Sequence, residues 1–138
     1  MYSKIYIKDY DEDTFRRTKR SYYANITLID EKIGEVVDLL KEHDAYDDTV
    51  IIYTSDHGDF MGDYGLVEKL QCLEDSLMRV PLFVKPPVKG FKGTVIDDEV
   101  VNIDIAGTCL ELADITPDKK PVSYTHLDVY KRQSCRTR

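Results

Sequence analysis

Thr49 to Lys69 reads TVIIYTSDHGDFMGDYGLVEK, and the fold turns on how this stretch is understood. Val50, Ile51, Ile52 and Tyr53 form a run of β-branched and aromatic residues without polar alternation, the pattern of a strand covered on both faces of a parallel sheet. The run breaks at once into Ser55-Asp56-His57-Gly58. A carboxylate and an imidazole therefore stand at the carboxyl end of a central strand, where open α/β sheets place their ligands. Gly58, Gly62 and Gly65 recur through the following loop with Asp59 and Asp63 between them, and Lys69 closes it. Glycines at those intervals let the backbone bend sharply and pass close to a bound group. For an isolated Asp-His pair the plainer reading is structural: Asp56 caps the next turn and His57 is a polar loop residue.

Four segments in order lift the pair above that reading. TSDHGDFMGDYGLVEK resembles the second metal-binding segment of the sulfatase family, in the alkaline-phosphatase superfamily: a strand, S-D-H/N-G, a G-D/E-H-G turn and a downstream lysine. LEDSLMRVPLFVKPP, from Leu73 to Pro87, resembles the segment that follows it, of the form Y-E-x-S-x-R-V-P-L-x-x-x-x-P. YYANITLIDEKIGEVVDLLKE is similar to the helix before the metal strand, and VVNIDIAGTCLELADI to the family's V-x-x-x-D-I-A-P-T-L-L-E-L-A-G-I helix. Together they span about Ser21 to Asp118.

The resemblance implies a partial alkaline-phosphatase-like α/β fold over residues 1–120, a central, largely parallel sheet flanked by helices. It implies that Asp56 and His57 are metal ligands and that Lys69 contacts the sulfate. Imidazole is an unusual ligand for calcium, so chemistry alone leaves magnesium, manganese and zinc open; the resemblance favours Ca2+. The expected substrates are small sulfate esters or sulfated glycans, and the intact parent would be a sulfuric ester hydrolase. The family nucleophile, a formylglycine made from the Cys or Ser of C/S-x-P-x-R, is expected earlier in the parent. Cys72 and Cys109 are each followed by Leu-Glu and Cys135 by Arg-Thr, so no nucleophile is found in this chain, which alone should be inactive. Near alternatives are a phosphodiesterase or phosphonate monoester hydrolase of the same superfamily, and a non-catalytic metal-binding fragment. Tyr64 stands where the family commonly has His; Gly107 and Asp114 replace Pro and Gly around the last helix.

PVSYTHLDVYKRQ, Pro121 to Gln133, resembles the translation of two sequencing-adapter ends joined head to head, and residues 121–138 are set aside as an artefactual tail, His126 included. One DNA that encodes this peptide is, apart from its first nucleotide, its own reverse complement. The tail holds four basic residues and one acid, net +3, so the chain's −7 becomes −10 over residues 1–120. An acidic body disfavours nucleic acid as a partner. No apolar run is long enough to span a membrane and no signal-peptide pattern opens the chain, although Met1 is not taken as a natural start and the compartment is left open. The three cysteines lack metal-ribbon spacing or an even disulfide framework.

The remaining elements follow from periodicity. Asp11, Glu12 and Asp13 precede a helical pattern with Tyr22, Ile26, Ile29, Ile33, Val36, Val37 and Leu40 on one face, running to about His43. Arg16, Arg17, Lys19 and Arg20 read as its solvated face rather than as an anion contact. Leu70 to Met78 fits a short helix, Arg79 to Lys85 a second strand, Thr94 to Val101 an extended segment, and Ile103 to Ala113 a helix with Ile105, Cys109 and Leu112 inward. Arg79 is expected to pair with an acid near the strand start.

Overall fold

The computed structural model describes residues 6–70 and 72–116. The tail assigned to 121–138 lies outside them. The chain divides into two compact units, Met1–Phe91 and Lys92–Arg138, each described by itself.

The first unit opens with a short 3-10 turn, Ile7–Asp9, and a long helix α1, Glu12–Glu42. Asp11 starts the helix: its backbone is extended and its Oδ1 accepts the Thr14 N–H at 2.6 Å, satisfying one of the donors a helix start leaves unpaired. That bond holds the Asp11 carboxyl below its ordinary pKa. Asp11→Ala is expected to fray the first turn, seen as several-fold faster exchange of the Thr14 amide. The basic residues pair within the helix: Arg16 with Glu12 at 2.9 Å, Arg17 with Asp13, while Lys19 Nζ lies 4.7 Å from the Phe15 ring centre. These exposed contacts agree with a solvated face. The apolar face departs from the sequence expectation. No residue of α1 is buried; Tyr22, Ile26, Ile29 and Val36 are exposed and Ile33, Val37 and Leu40 half-buried. The 3.6-residue period marks the face a helix can bury, and among the described residues nothing covers it fully.

His43 caps the helix through its backbone N–H, and Asp44 turns the chain with a left-handed φ of 55°. Lys85 Nζ then donates to the carbonyls of Tyr46 and Thr49, the latter at 3.0 Å, tying this turn to the second strand.

The strand at the centre of the sequence argument is β1, Ile51–Thr54. It pairs with β2, Leu82–Lys85, in an antiparallel register from Ile51↔Lys85 to Thr54↔Leu82. The expected parallel sheet is thus corrected: the described residues hold a two-stranded antiparallel one. A parallel return needs a crossover long enough to run back along the sheet, usually a helix, and α2, Asp75–Met78, is a single turn. The strand is also not covered on both faces: Ile51, Ile52 and Thr54 are half-buried and Tyr53 is exposed, its ring 6.0 Å from that of its cross-strand partner Phe83.

In the second unit α3 spans Ile103–Leu112. Its inward row differs from the expected one: Asp104 and Thr108 are buried, Ile105 is half-buried, and Cys109 and Leu112 are exposed. The buried stripe is rotated by about one residue, roughly 100° around the axis. Polar groups can occupy it because they are satisfied locally: Asp104 Oδ2 accepts the Val101 N–H at 3.2 Å, and the Thr108 hydroxyl donates to the Asp104 carbonyl at 2.8 Å. Residues 94–101, expected to be extended, form no strand.

Candidate metal and anion site

Thr54 ends β1 and the next three residues make the site. The Ser55 hydroxyl donates to the His57 carbonyl at 2.8 Å, closing a tight turn. The His57 N–H donates to Asp56 Oδ1 at 3.0 Å, a contact between adjacent residues. It does not exhaust the residue: Oδ2 of the same carboxylate lies 3.6 Å from His57 Nε2.

The tautomer of His57 follows from its neighbours. Nδ1 is 2.7 Å from the Gly58 carbonyl, which can only accept, so Nδ1 carries the proton. Nε2 is left with a lone pair, and Lys69 Nζ donates to it at 2.6 Å. One carboxylate oxygen, one imidazole lone pair and one ammonium group therefore meet at the end of β1. The backbone N–H of His57 is the main cause that pulls the Asp56 carboxyl below its usual range, with the Lys69 charge a smaller contributor. A carboxyl with a depressed pKa stabilises the fold above its unfolded value, near 3.9, and loses that contribution as pH falls through the folded one. Asp56 is accordingly expected to stay ionised at pH 4, and a carboxyl-carbon NMR titration with its midpoint below that of a free aspartate would show it.

Lys69 reaches His57 because the intervening loop folds back on itself. Asp59 Oδ1 accepts the Met61 N–H at 2.9 Å; Phe60 N–H bonds the Glu68 carbonyl at 3.0 Å, and Gly62 N–H bonds the Leu66 carbonyl at 2.7 Å. Phe60 and Val67, one on each limb, are almost fully buried, and Leu77 of α2 is buried as well. Their burial anchors the loop. Gly62, at φ 110°, takes a backbone shape that favours glycine. Tyr64 is exposed, its ring set edge-on to Phe60, and the charge and hydrogen bond of Glu74 push its phenol pKa up.

The third wall is α2. Gly58 N–H donates to the Leu77 carbonyl at 2.8 Å, and the Ser76 hydroxyl donates to Asp63. Arg79 lies 3.8 Å from Asp75, the acid pairing expected of it, at the solvent surface. Sequence reasoning singled out Asp56, His57 and Lys69 and missed Ser55, Phe60, Val67 and Ser76. Two apolar dipeptides, Phe60-Met61 and Leu66-Val67, spaced through an otherwise polar, glycine-rich loop were the available sign of the anchor.

Asp56 and His57 fit a divalent cation as part of a coordination shell. Donors 3.6 Å apart can both lie 2.0–2.5 Å from one ion, provided that Lys69 Nζ, which donates to Nε2, gives way to it. They do not make a whole shell: among the described residues no group of three or more His, Cys, Asp or Glu side chains is arranged to hold a metal.

The chain is 40% identical over 108 residues to a choline-sulfatase of Rhizobium meliloti (strain 1021), covering 78% of this chain and 20% of that protein. It is 38% identical over 112 residues to an arylsulfatase of Clostridium perfringens (strain 13 / Type A), covering 78% and 23%. A solved structure, BT4656 in complex with its substrate D-glucosamine-2-N,6-O-disulfate, superposes with a TM-score of 0.63 at 30% identity, over 77% of this chain and 22% of that one. The chain thus spans about a fifth of the length of the relatives it matches. The family model for sulfatases matches residues 2–115, and the chain belongs to the sulfatase family.

Proposed function

We propose that this chain supplies one wall of the active site of an enzyme that hydrolyses sulfate esters. The observation that carries the reading is the meeting of Asp56, His57 and Lys69 at the end of β1. Asp56 and His57 are the metal ligands and Lys69 the sulfate contact. A bound divalent cation, calcium by family resemblance, would polarise the sulfate group. The Asp56 carboxylate contributes a charged oxygen that stays ionised; the Gly58 carbonyl fixes the His57 ring so that Nε2 is the donor atom. Lys69 offers a positive charge to the sulfate oxygens, on which negative charge concentrates as the ester bond breaks. Small sulfate esters or sulfated glycans are the substrate class, in keeping with the disulfated glucosamine bound by BT4656.

The nucleophile, formylglycine by family resemblance, is expected from another part of the parent, and two donors are too few to hold calcium firmly. The chain alone is therefore inactive. Assay of the purified chain with an aryl sulfate should give no turnover above background, whereas the full-length protein from the same locus should turn it over and lose activity on His57→Ala. Turnover by the chain alone that disappears in His57→Ala would overturn the assignment of a missing nucleophile. A full-length protein that cleaves phosphodiesters and leaves sulfate esters intact would overturn the sulfatase reading.

A further inference from the structure

The pair of His57 and Lys69 is carried on two separate arms, and one residue touches both. The first arm is the turn after β1: Gly58 N–H is held by the Leu77 carbonyl at 2.8 Å, and the Ser76 carbonyl lies so near Gly58 that an added Cβ would stand 2.0 Å from it. The second arm is the glycine loop that returns Lys69. Its tip residue Asp63 receives the Ser76 hydroxyl, and its limbs are cross-linked from Gly62–Leu66 to Phe60–Glu68, one residue short of Lys69. Displacement of Asp63 is passed along that ladder to Lys69. Displacement of Gly58 is passed directly to His57.

We propose that Ser76 is the positioning residue that sets the His57–Lys69 contact, its backbone bearing on one arm and its hydroxyl on the other. It touches neither metal nor substrate and acts through the arms. The Asp63 carboxylate otherwise stands at an exposed tip, so loss of the hydroxyl leaves the loop anchored below by Phe60 and Val67 and tied above through the exposed Tyr64–Glu74 hydrogen bond, which does not reach Asp63. A hydroxyl-to-carboxylate bond is charge-assisted and directional, which suits it to fixing a distance rather than adding bulk stability. The functional weight of this arrangement rests on the proposed roles of His57 and Lys69, but its geometry can be read without any turnover.

The test uses the full 138-residue chain with nitrogen-15 in its histidine rings. An Nε2 lone pair that accepts from an ammonium resonates upfield of a free one, and Lys69→Met gives the reference for a freed ring. Ser76→Ala is expected to move the His57 Nε2 resonance most of the way to that reference while the backbone amides of β1 and β2 stay in place. Asp63→Ala should do the same and the double variant no more, because both act through one bond. Ser76→Thr, which keeps the hydroxyl, should restore the wild-type resonance. The proposal is overturned if Ser76→Ala leaves Nε2 where it was, if Lys69→Met does not move it, or if the strand amides shift together with the ring, which would mark Ser76 as merely structural. Should Ser76→Ala fail to fold, Asp63→Ala, which leaves α2 untouched, gives the same decision. Absence of sulfatase activity in the parent would sink the functional reading and leave this result standing.

Discussion

Gly58→Ala is expected to dismantle the site. The new methyl would sit 2.0 Å from the Ser76 carbonyl oxygen, 3.0 Å from its carbon and 3.3 Å from Leu77 Cα. All three are backbone atoms, so no side-chain rotation relieves the clash. The turn must lift off α2, which breaks the Gly58–Leu77 hydrogen bond and moves the carbonyl that fixes the His57 tautomer. Overpacking against a rigid surface together with a lost buried hydrogen bond costs about 3 kcal/mol. A urea titration should show a lower midpoint, and the His57 ring resonances should broaden or shift. Gly34→Ala is the internal control, since Gly34 lies within α1 and a methyl there meets nothing within 4 Å. That change should raise stability by about 0.5–1 kcal/mol through helix propensity. Equal and small effects at the two positions would show that the turn does not bear on α2 as described.

Lys69→Met should move two properties in opposite directions. In the full-length protein, removing a fixed cation from the sulfate oxygens is expected to lower kcat about 100- to 1,000-fold. The same change takes a positive charge away from the lone pair of a metal ligand 2.6 Å distant, so a divalent cation should bind more tightly. Calorimetric titration of calcium into wild-type and Lys69→Met protein, beside a steady-state assay, reads both. Tighter metal with slower turnover is the expected outcome. Weaker metal binding would mean that Lys69 supports the ligands rather than competing with them, and unchanged turnover would remove it from the sulfate contact.

The parts of this fold that could be read from sequence are those set by local rules. Val50 to Tyr53 announced β1 within one residue of Ile51–Thr54, and the acids before Phe15 announced the start of α1, where Asp11 caps it. The Asp56-His57 pair was visible as polar chemistry stopping an apolar run. Strand direction was not visible, because alternation reports which faces are covered and says nothing of the partner. The row on α3 was not legible because apolar residues ordinarily point inward; Asp104 Oδ2 and the Thr108 hydroxyl find partners within their own turn, which lets these residues be buried. The Lys69–His57 contact joins residues twelve positions apart, and only family resemblance had linked Lys69 to the site. Its physical origin, the burial of Phe60 and Val67, became clear from the folded loop.

Met61, Tyr64 and Glu68 all hold left-handed backbone, at φ of 44°, 55° and 64°, within the loop that delivers Lys69. Side chains are disfavoured there and glycine is not. The loop is consequently a stretch on which heritable variation has an easy route to a sturdier protein. Selection of a loop library for folding alone should enrich glycine at the three positions, whereas selection for turnover in the full-length protein should keep side chains wherever they serve the substrate. Divergence between those two enrichment profiles, position by position, would map which of the three side chains natural selection has kept for chemistry.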